Sequence, residues 1–217
     1  MFDDQVLHDL KNPLSGITGS IGLFLEGLLG PLDAEQKKYL TNIDFSAKRL
    51  TLLLMELSAV ANAEKKQLVV TKVPFPAGEL REETAWLKQL AALENKTIVD
   101  TFDDDLSLPA DKKLTVMIVT DLLLNACKQT DRGGRVTFSI KPDKGGPLFE
   151  IGFSGEGIPR EFTAKIFDKN FRADHPELKA KTGAGLGLYF CKLAVEAQGG
   201  KIGAEGARFH FRLPQDR

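Results

Sequence analysis

His8-Asp9-Leu10-Lys11-Asn12-Pro13-Leu14 opens a stretch whose apolar residues recur at intervals of three and four: Leu7, Leu10, Leu14, Ile17, Ile21, Phe24 and Leu28. A second run repeats the pattern through Leu40, Ile43, Ala47, Leu50, Leu54, Leu57 and Ala61. That spacing is the seam of helices packed at a shallow angle. Between the runs Gly27, Gly30 and Pro31 break the helix, and Asp33 with Gln36 has the form of a capping box that starts the next one. Two helices cannot bury two such seams alone. The hairpin therefore predicts a homodimer closed into a four-helix bundle.

The same stretch carries chemistry. Asn12 lies four residues after His8 and shares its helical face, while Asp9 flanks it. An imidazole titrates near neutrality and can attack phosphorus; the carboxylate can take its proton, and the amide can orient a water. If Leu7 and Leu10 face the core, His8 looks outward. A lone histidine near a helix start is usually a surface or cap residue. Asp9, Asn12 and a kinking Pro13 around this one shift the reading toward function.

Moving outward, polar Glu64-Lys65-Lys66-Gln67 ends the helical pattern, giving expected domains 1–66 and 67–217. Beyond it the types alternate: a strand at 68–73, a helix at 76–94 and an extended segment at 97–102. A helix at 109–130 and strands at 135–141 and 148–153 follow, then a helix at 189–198 and a last strand at 207–213. Strands and helices mixed in this way predict an α/β two-layer sandwich. The chain has 217 residues, 42% of them hydrophobic and 27% charged, with net charge −1. That is the balance of a globular protein without a polyanionic partner, so neither nucleic acid nor membrane insertion is expected. No apolar run is long enough to span a bilayer and no signal peptide opens the chain, so a cytoplasmic location is expected. Cys127 and Cys191 lie in apolar helical contexts without metal-ligand spacing, as expected of buried thiols.

The box around His8 resembles the phosphoacceptor box (H-E/D-x-x-N/T-P) of the sensor histidine kinases of two-component signalling. Three later segments resemble the same family's ATP-binding domain in chain order. Asp121-Leu122-Leu123-Leu124-Asn125-Ala126 is similar to the N box, with Asp121 and Asn125 on one helical face and Asn125 at the family's magnesium ligand. Lys128, one turn on, is placed to meet a phosphate. Ile166 to Arg172 resembles the F box, followed by a lid up to Thr182. Gly183-Ala184-Gly185-Leu186-Gly187-Leu188 resembles the G2 box, whose glycines let the backbone approach phosphates at a helix N-terminus. The resemblance implies a histidine-kinase ATPase fold of the Bergerat type after the hairpin. It also implies ATP and Mg2+ as cofactors. Contacts to nucleotide would come from Asp121, Asn125, Lys128, Gly155, Gly157, Gly183, Gly185, Leu186 and Gly187. The receiver domain of a response regulator follows as partner, with input from an upstream sensor region or protein.

One position departs. Where the family has D-x-G-x-G-I in its G1 box, this chain reads Phe153-Ser154-Gly155-Glu156-Gly157-Ile158. Both glycines are in register, but phenylalanine replaces the carboxylate that accepts a hydrogen bond from the adenine amino group. Loss of a charged acceptor costs about 1.5–3 kcal/mol, or roughly one to two decades of affinity. Ser154 and Gln129 are the candidate substitutes. Two readings follow: a protein-histidine kinase that phosphorylates His8 from Mg-ATP and passes the group to a regulator aspartate, or a phosphotransfer and phosphatase hub that does not use ATP. In a third, remaining reading the chain is a binding module in which His8 does no chemistry.

Overall fold

The structure, a computed structural model, describes residues 4–171 and 185–214, and of residues 4, 5, 7 and 8 only the backbone. It divides into two compact units, Met1–Ala61 and Asn62–Arg217. The division falls slightly before the expected break at 66/67, and Glu64 at the end of the second helix bonds Lys169 and Tyr189 of the second unit.

The first unit is a helical hairpin. Helix α1 spans Asp4–Leu25 with Pro13 inside it, and α2 spans Ala34–Glu64. Gly27 and Gly30 adopt φ of +76° and +108°, the left-handed conformation that ends α1. Asp33 and Gln36 form the capping box reciprocally: Gln36 N–H donates to Asp33 Oδ1 (2.8 Å), and Asp33 N–H donates to Gln36 Oε1 (3.0 Å). Leu14 and Leu54 pack together with Leu57 against them, and Ile21 and Ala47 are buried one heptad away from this pair. Other seam positions stand open. Leu10, Ile17 and Phe24 on α1, and Ile43 and Leu50 on α2, follow one another at seven-residue intervals and remain 38–48% exposed. Leu10 thus does not face the hairpin's own core, contrary to the sequence expectation. Its seam divides into a half that closes the hairpin and a half left open.

The second unit is a two-layer sandwich. Chain order runs β1 (Phe75–Pro76), α3 (Gly78–Leu93), β2 (Thr97–Thr101), β3 (Ser107–Leu108), α4 (Lys112–Gln129), β4 (Arg135–Lys141), β5 (Leu148–Phe153), α5 (Gly187–Ala197), β6 (Lys201–Glu205) and β7 (Arg208–Arg212). Five strands form a mixed sheet in the order β2-β4-β5-β7-β6, with β2 and β4 parallel and the remaining pairs antiparallel. Alternation sets its two faces. Val136, Phe138, Ile140, Phe149, Ile151, Phe209 and Phe211 point toward α3, α4 and α5 and are buried, with the Phe149 and Phe211 rings stacked at 4.2 Å.

Two expectations need correction. Residues 68–73 are extended but form no strand; the strand lies later, at Phe75–Pro76, paired with β3. The earlier segment is pinned by single bonds instead: Thr71 N–H donates to Asp111 Oδ2 (2.8 Å) and Val73 N–H to the Ala110 carbonyl (3.2 Å). The second is β6, absent from the sequence reading because Gly203 interrupts its pattern. A Cβ at Gly203 would come within 2.7 Å of His210 Nε2, so glycine is needed there to let the imidazole lie across the strand.

Candidate nucleotide and phosphoacceptor sites

Helix α4 begins at Asp111, whose Oδ1 accepts from Leu114 N–H (2.9 Å) while its own N–H donates to the buried Gln198 (2.9 Å). This fixes α4 against the end of α5. Three turns along, Asp121 is completely buried. Asn125 Nδ2 donates to Asp121 Oδ2 and to its carbonyl oxygen, both at 2.8 Å. Both described bonds use the amide nitrogen, which turns Oδ1, a hard oxygen ligand, away from Asp121.

The same carboxylate abuts Gly187, in the first turn of α5; any Cβ there would overlap it. Helix α5 has no side-chain cap of its own, and the buried carboxyl oxygens of Asp121 complement the positive end of the helix at its first turn. Asp121 therefore joins the N-box amide to the glycine loop. Gly185, at φ +67°, lies against Asn170 and Phe171 of the F-box segment, where a Cβ would come within 3.2 Å of backbone. Leu186 and Gly187 are half-buried; Gly183, the segment to Thr182 and Arg172 lie outside the described residues. Of the F-box side chains, Ile166 and Phe167 are buried, and the Phe171 ring meets that of Phe162, just before the box, at 5.8 Å. Within the same unit Lys169 donates to Glu64 (2.6 Å), and Tyr189 Oη donates to the same carboxylate (3.2 Å). The Lys169 bond is the main reason that Glu64 is held below the ordinary carboxyl value.

The G1 turn closes the other side. A Cβ at Gly155 would lie 2.6 Å from the Gln129 carbonyl at the end of α4. Gly157, at φ +79°, brings Ile158 N–H to the Gly206 carbonyl (2.8 Å). Both glycines are explained by close backbone approach. Phe153 sits 7% exposed on the helix-facing side of β5, its ring 5.6 Å from that of Phe209. Ser154 faces the other way: its hydroxyl donates to the Arg135 carbonyl (2.8 Å) and accepts from Arg135 N–H (2.5 Å). These two bonds tie it to the start of β4. Gln129 and Lys128 are half-buried near the end of α4.

In the hairpin, His8 lies in α1 with its side chain outside the described residues, and Asp9 and Asn12 are exposed. Cys191 is buried with Sγ 3.8 Å from Asp121 Oδ2, and burial pushes the Cys127 thiol up to about 11. Among the described residues no cluster of His, Cys, Asp and Glu could hold a metal, and no helix is long and apolar enough to cross a membrane.

Residues 4–65 match the His Kinase A (phospho-acceptor) domain family, and residues 110–217 match the histidine kinase-, DNA gyrase B- and HSP90-like ATPases. The two matches follow in the order that the motifs require. The chain belongs to the sensor histidine kinases. It is 30% identical over 219 aligned positions to the sensor protein KdpD of Clostridium acetobutylicum, covering 98% of this chain and 24% of that one. It is 27% identical over 221 positions to the sensor protein SrrB of Staphylococcus aureus, covering 99% and 38%. The chain thus spans well under half the length of these relatives. Among solved structures, full-length ShkA in complex with AMPPNP superposes with a TM-score of 0.67 at 25% identity, over 97% of this chain and 45% of that one. The catalytic domain of histidine kinase ThkA gives 0.57 at 26% identity, over 66% and 97%.

Proposed function

We propose that this histidine kinase phosphorylates His8 from Mg-ATP and passes the phosphoryl group to an aspartate of a receiver domain. The observation that carries the reading is the shared carboxylate of Asp121, which sets Asn125 and the Gly185–Gly187 loop side by side. Asn125 would hold the magnesium ion through Oδ1, with Lys128 near the phosphates and the backbone of Gly183, Gly185, Leu186 and Gly187 following them. Magnesium, when bound, neutralises phosphate charge during transfer. Asp9 is the base that takes the imidazole proton, and Asn12 orients water for the reverse hydrolysis. The AMPPNP complex of ShkA supports a nucleotide at this fold.

The chain would act as a homodimer. Leu10, Ile17, Phe24, Ile43 and Leu50 form the uncovered half of two heptad seams, and a second hairpin would bury them in a four-helix bundle. The reading also includes an upstream sensory input and a cytoplasmic location.

Phe153 favours one further reading. With its ring among the core aromatics and Ser154 committed elsewhere, the adenine amino group lacks the family's acceptor. The chain would then pass phosphate between receiver domains through His8 without ATP. Calorimetric titration with Mg-ATP separates the two. Binding at micromolar to millimolar nucleotide, lost in Asn125→Ala and strengthened about tenfold or more in Phe153→Asp, supports the kinase. No binding at millimolar nucleotide, together with transfer from a phosphorylated receiver domain to His8, supports the hub. Equal affinity in Phe153→Asp and the parent would remove Phe153 from the adenine site.

A further inference from the structure

The helices of the second unit cover one face of its sheet, and the other carries an ordered set of charges. Direct cross-strand partners share a face. One row runs Thr137, Gly152, Arg208, Glu205; the next runs Ser139, Glu150, His210, Gly203; a third runs Lys141, Leu148, Arg212, Lys201. Arg135 lies on the same face of β4, two residues before Thr137. Among these strand residues Arg135, Lys141, Lys201, Arg208 and Arg212 are cationic, against Glu150 and Glu205. A chain of net charge −1 thus has a cationic excess on its open sheet face.

The centre of that face is a groove of about 520 Å³ whose lining includes Arg135, Thr137, Ser139, Lys141, Glu150 and Arg208. Its floor is low because Gly152 has no side chain and Thr137 leans over it, 2.7 Å from where a Cβ would stand. The walls are long cations. Lys141 and Arg208 both reach Glu150, at 2.5 and 2.6 Å, yet remain 63% and 54% exposed while Glu150 is only 12% exposed. The anion lies beneath the two cations, so the groove presents positive charge to solvent.

We propose that this groove docks a short acidic segment, rich in Asp and Glu, of a partner protein, lying across β4, β5 and β7. The volume accommodates a few peptide residues, and cationic arms around a low polar floor complement carboxylates on an extended chain. A nucleic-acid strand fits less well. Among the described residues no Phe, Tyr or Trp side chain lies on these three rows for bases to stack on. The groove's lining contains neither Asn125 nor the glycine loop and meets the G1 box only at Phe153 and Ser154, so docking leaves the proposed phosphate contacts free.

The test is fluorescence anisotropy of labelled hexaglutamate titrated with the whole chain at low salt, with labelled hexalysine as control. Hexaglutamate binding that weakens as salt rises, with no hexalysine binding, is expected. Lys141→Ser/Arg208→Ser should weaken it about tenfold or more, and Glu150→Gln should strengthen it about threefold, since it removes the anion and keeps both cations. The triple variant Lys141→Ser/Glu150→Gln/Arg208→Ser leaves no unpaired Glu150 and should lose binding like the double one. Absence of hexaglutamate binding, unchanged affinity in the triple variant, displacement by Mg-ADP, or tighter binding of a thymidine oligonucleotide would each overturn the proposal.

Discussion

Asp121 has two neighbours that make the same demand on it. Asn125 needs a partner for its amide nitrogen, and the first turn of α5 needs a negative group, and one buried carboxylate meets both. Aspartate on the polar face of α4 was readable from its spacing to Asn125. Its burial was not, because the residue that it faces, Gly187, lies 66 positions on (187 − 121) and its own lack of a side chain makes the contact. Asp121→Ala would remove one of the two acceptors of the half-buried Asn125 amide, and with it the carboxylate packed against the first turn of α5. Urea unfolding should show a loss of about 2–4 kcal/mol, against about 1 kcal/mol for Asn125→Ala, which leaves the carboxylate against α5. Equal losses would mean that Asp121 contributes only through Asn125. Phe153 is the converse case. Its departure from the family pattern was visible in the sequence, but only the structure shows the ring at the Phe209 ring and Ser154 facing away from it.

At the scale of elements, α1 is unusually rich in glycine for the helix that holds the proposed phosphoacceptor. Gly16, Gly19 and Gly22 lie inside it with open space where a Cβ would be, and Ser15, Thr18 and Ser20 turn back to carbonyls three or four residues earlier. Nothing in the hairpin's own packing requires these glycines. Each weakens the helix by roughly 0.5–1 kcal/mol relative to alanine. Gly16→Ala/Gly19→Ala/Gly22→Ala should therefore raise stability by about 1.5–3 kcal/mol, read as a shift in the urea midpoint, unless a partner helix needs the space. The same helix exposes its second heptad stripe. Ile17→Lys/Leu50→Lys should convert a dimer to monomer in light scattering, and a dimer of unchanged mass would mean that the second hairpin packs on another face. Heptad spacing made these positions legible as apolar seam, but not which half closes the hairpin. Leu14 and Leu54 are buried and Ile17 and Leu50 are not, and this depends on how the two helices rotate about each other. Strand β6 was hidden for a related reason. Gly203 is tolerated because His210 of the neighbouring strand covers it, a pairing that local sequence cannot show.

On the scale of the whole molecule, the chain holds a phosphoacceptor helix in one unit and a candidate nucleotide site in the other. The family was legible because its motifs are short, local and ordered: the box at His8, the α4 pair and the glycine loop each specify their own helix or turn. Less legible was everything set by long-range pairing, from the late strand at Phe75 to the charged open sheet face. The account stands on transfer of phosphate to His8, and the most direct measurement is incubation of the whole chain with γ-labelled ATP and magnesium, followed by detection of acid-labile label. The account predicts label on the chain that is absent in His8→Gln and reduced in Asn125→Ala. It would be contradicted by label that persists in His8→Gln, or by no label from ATP when a phosphorylated receiver domain labels His8 readily.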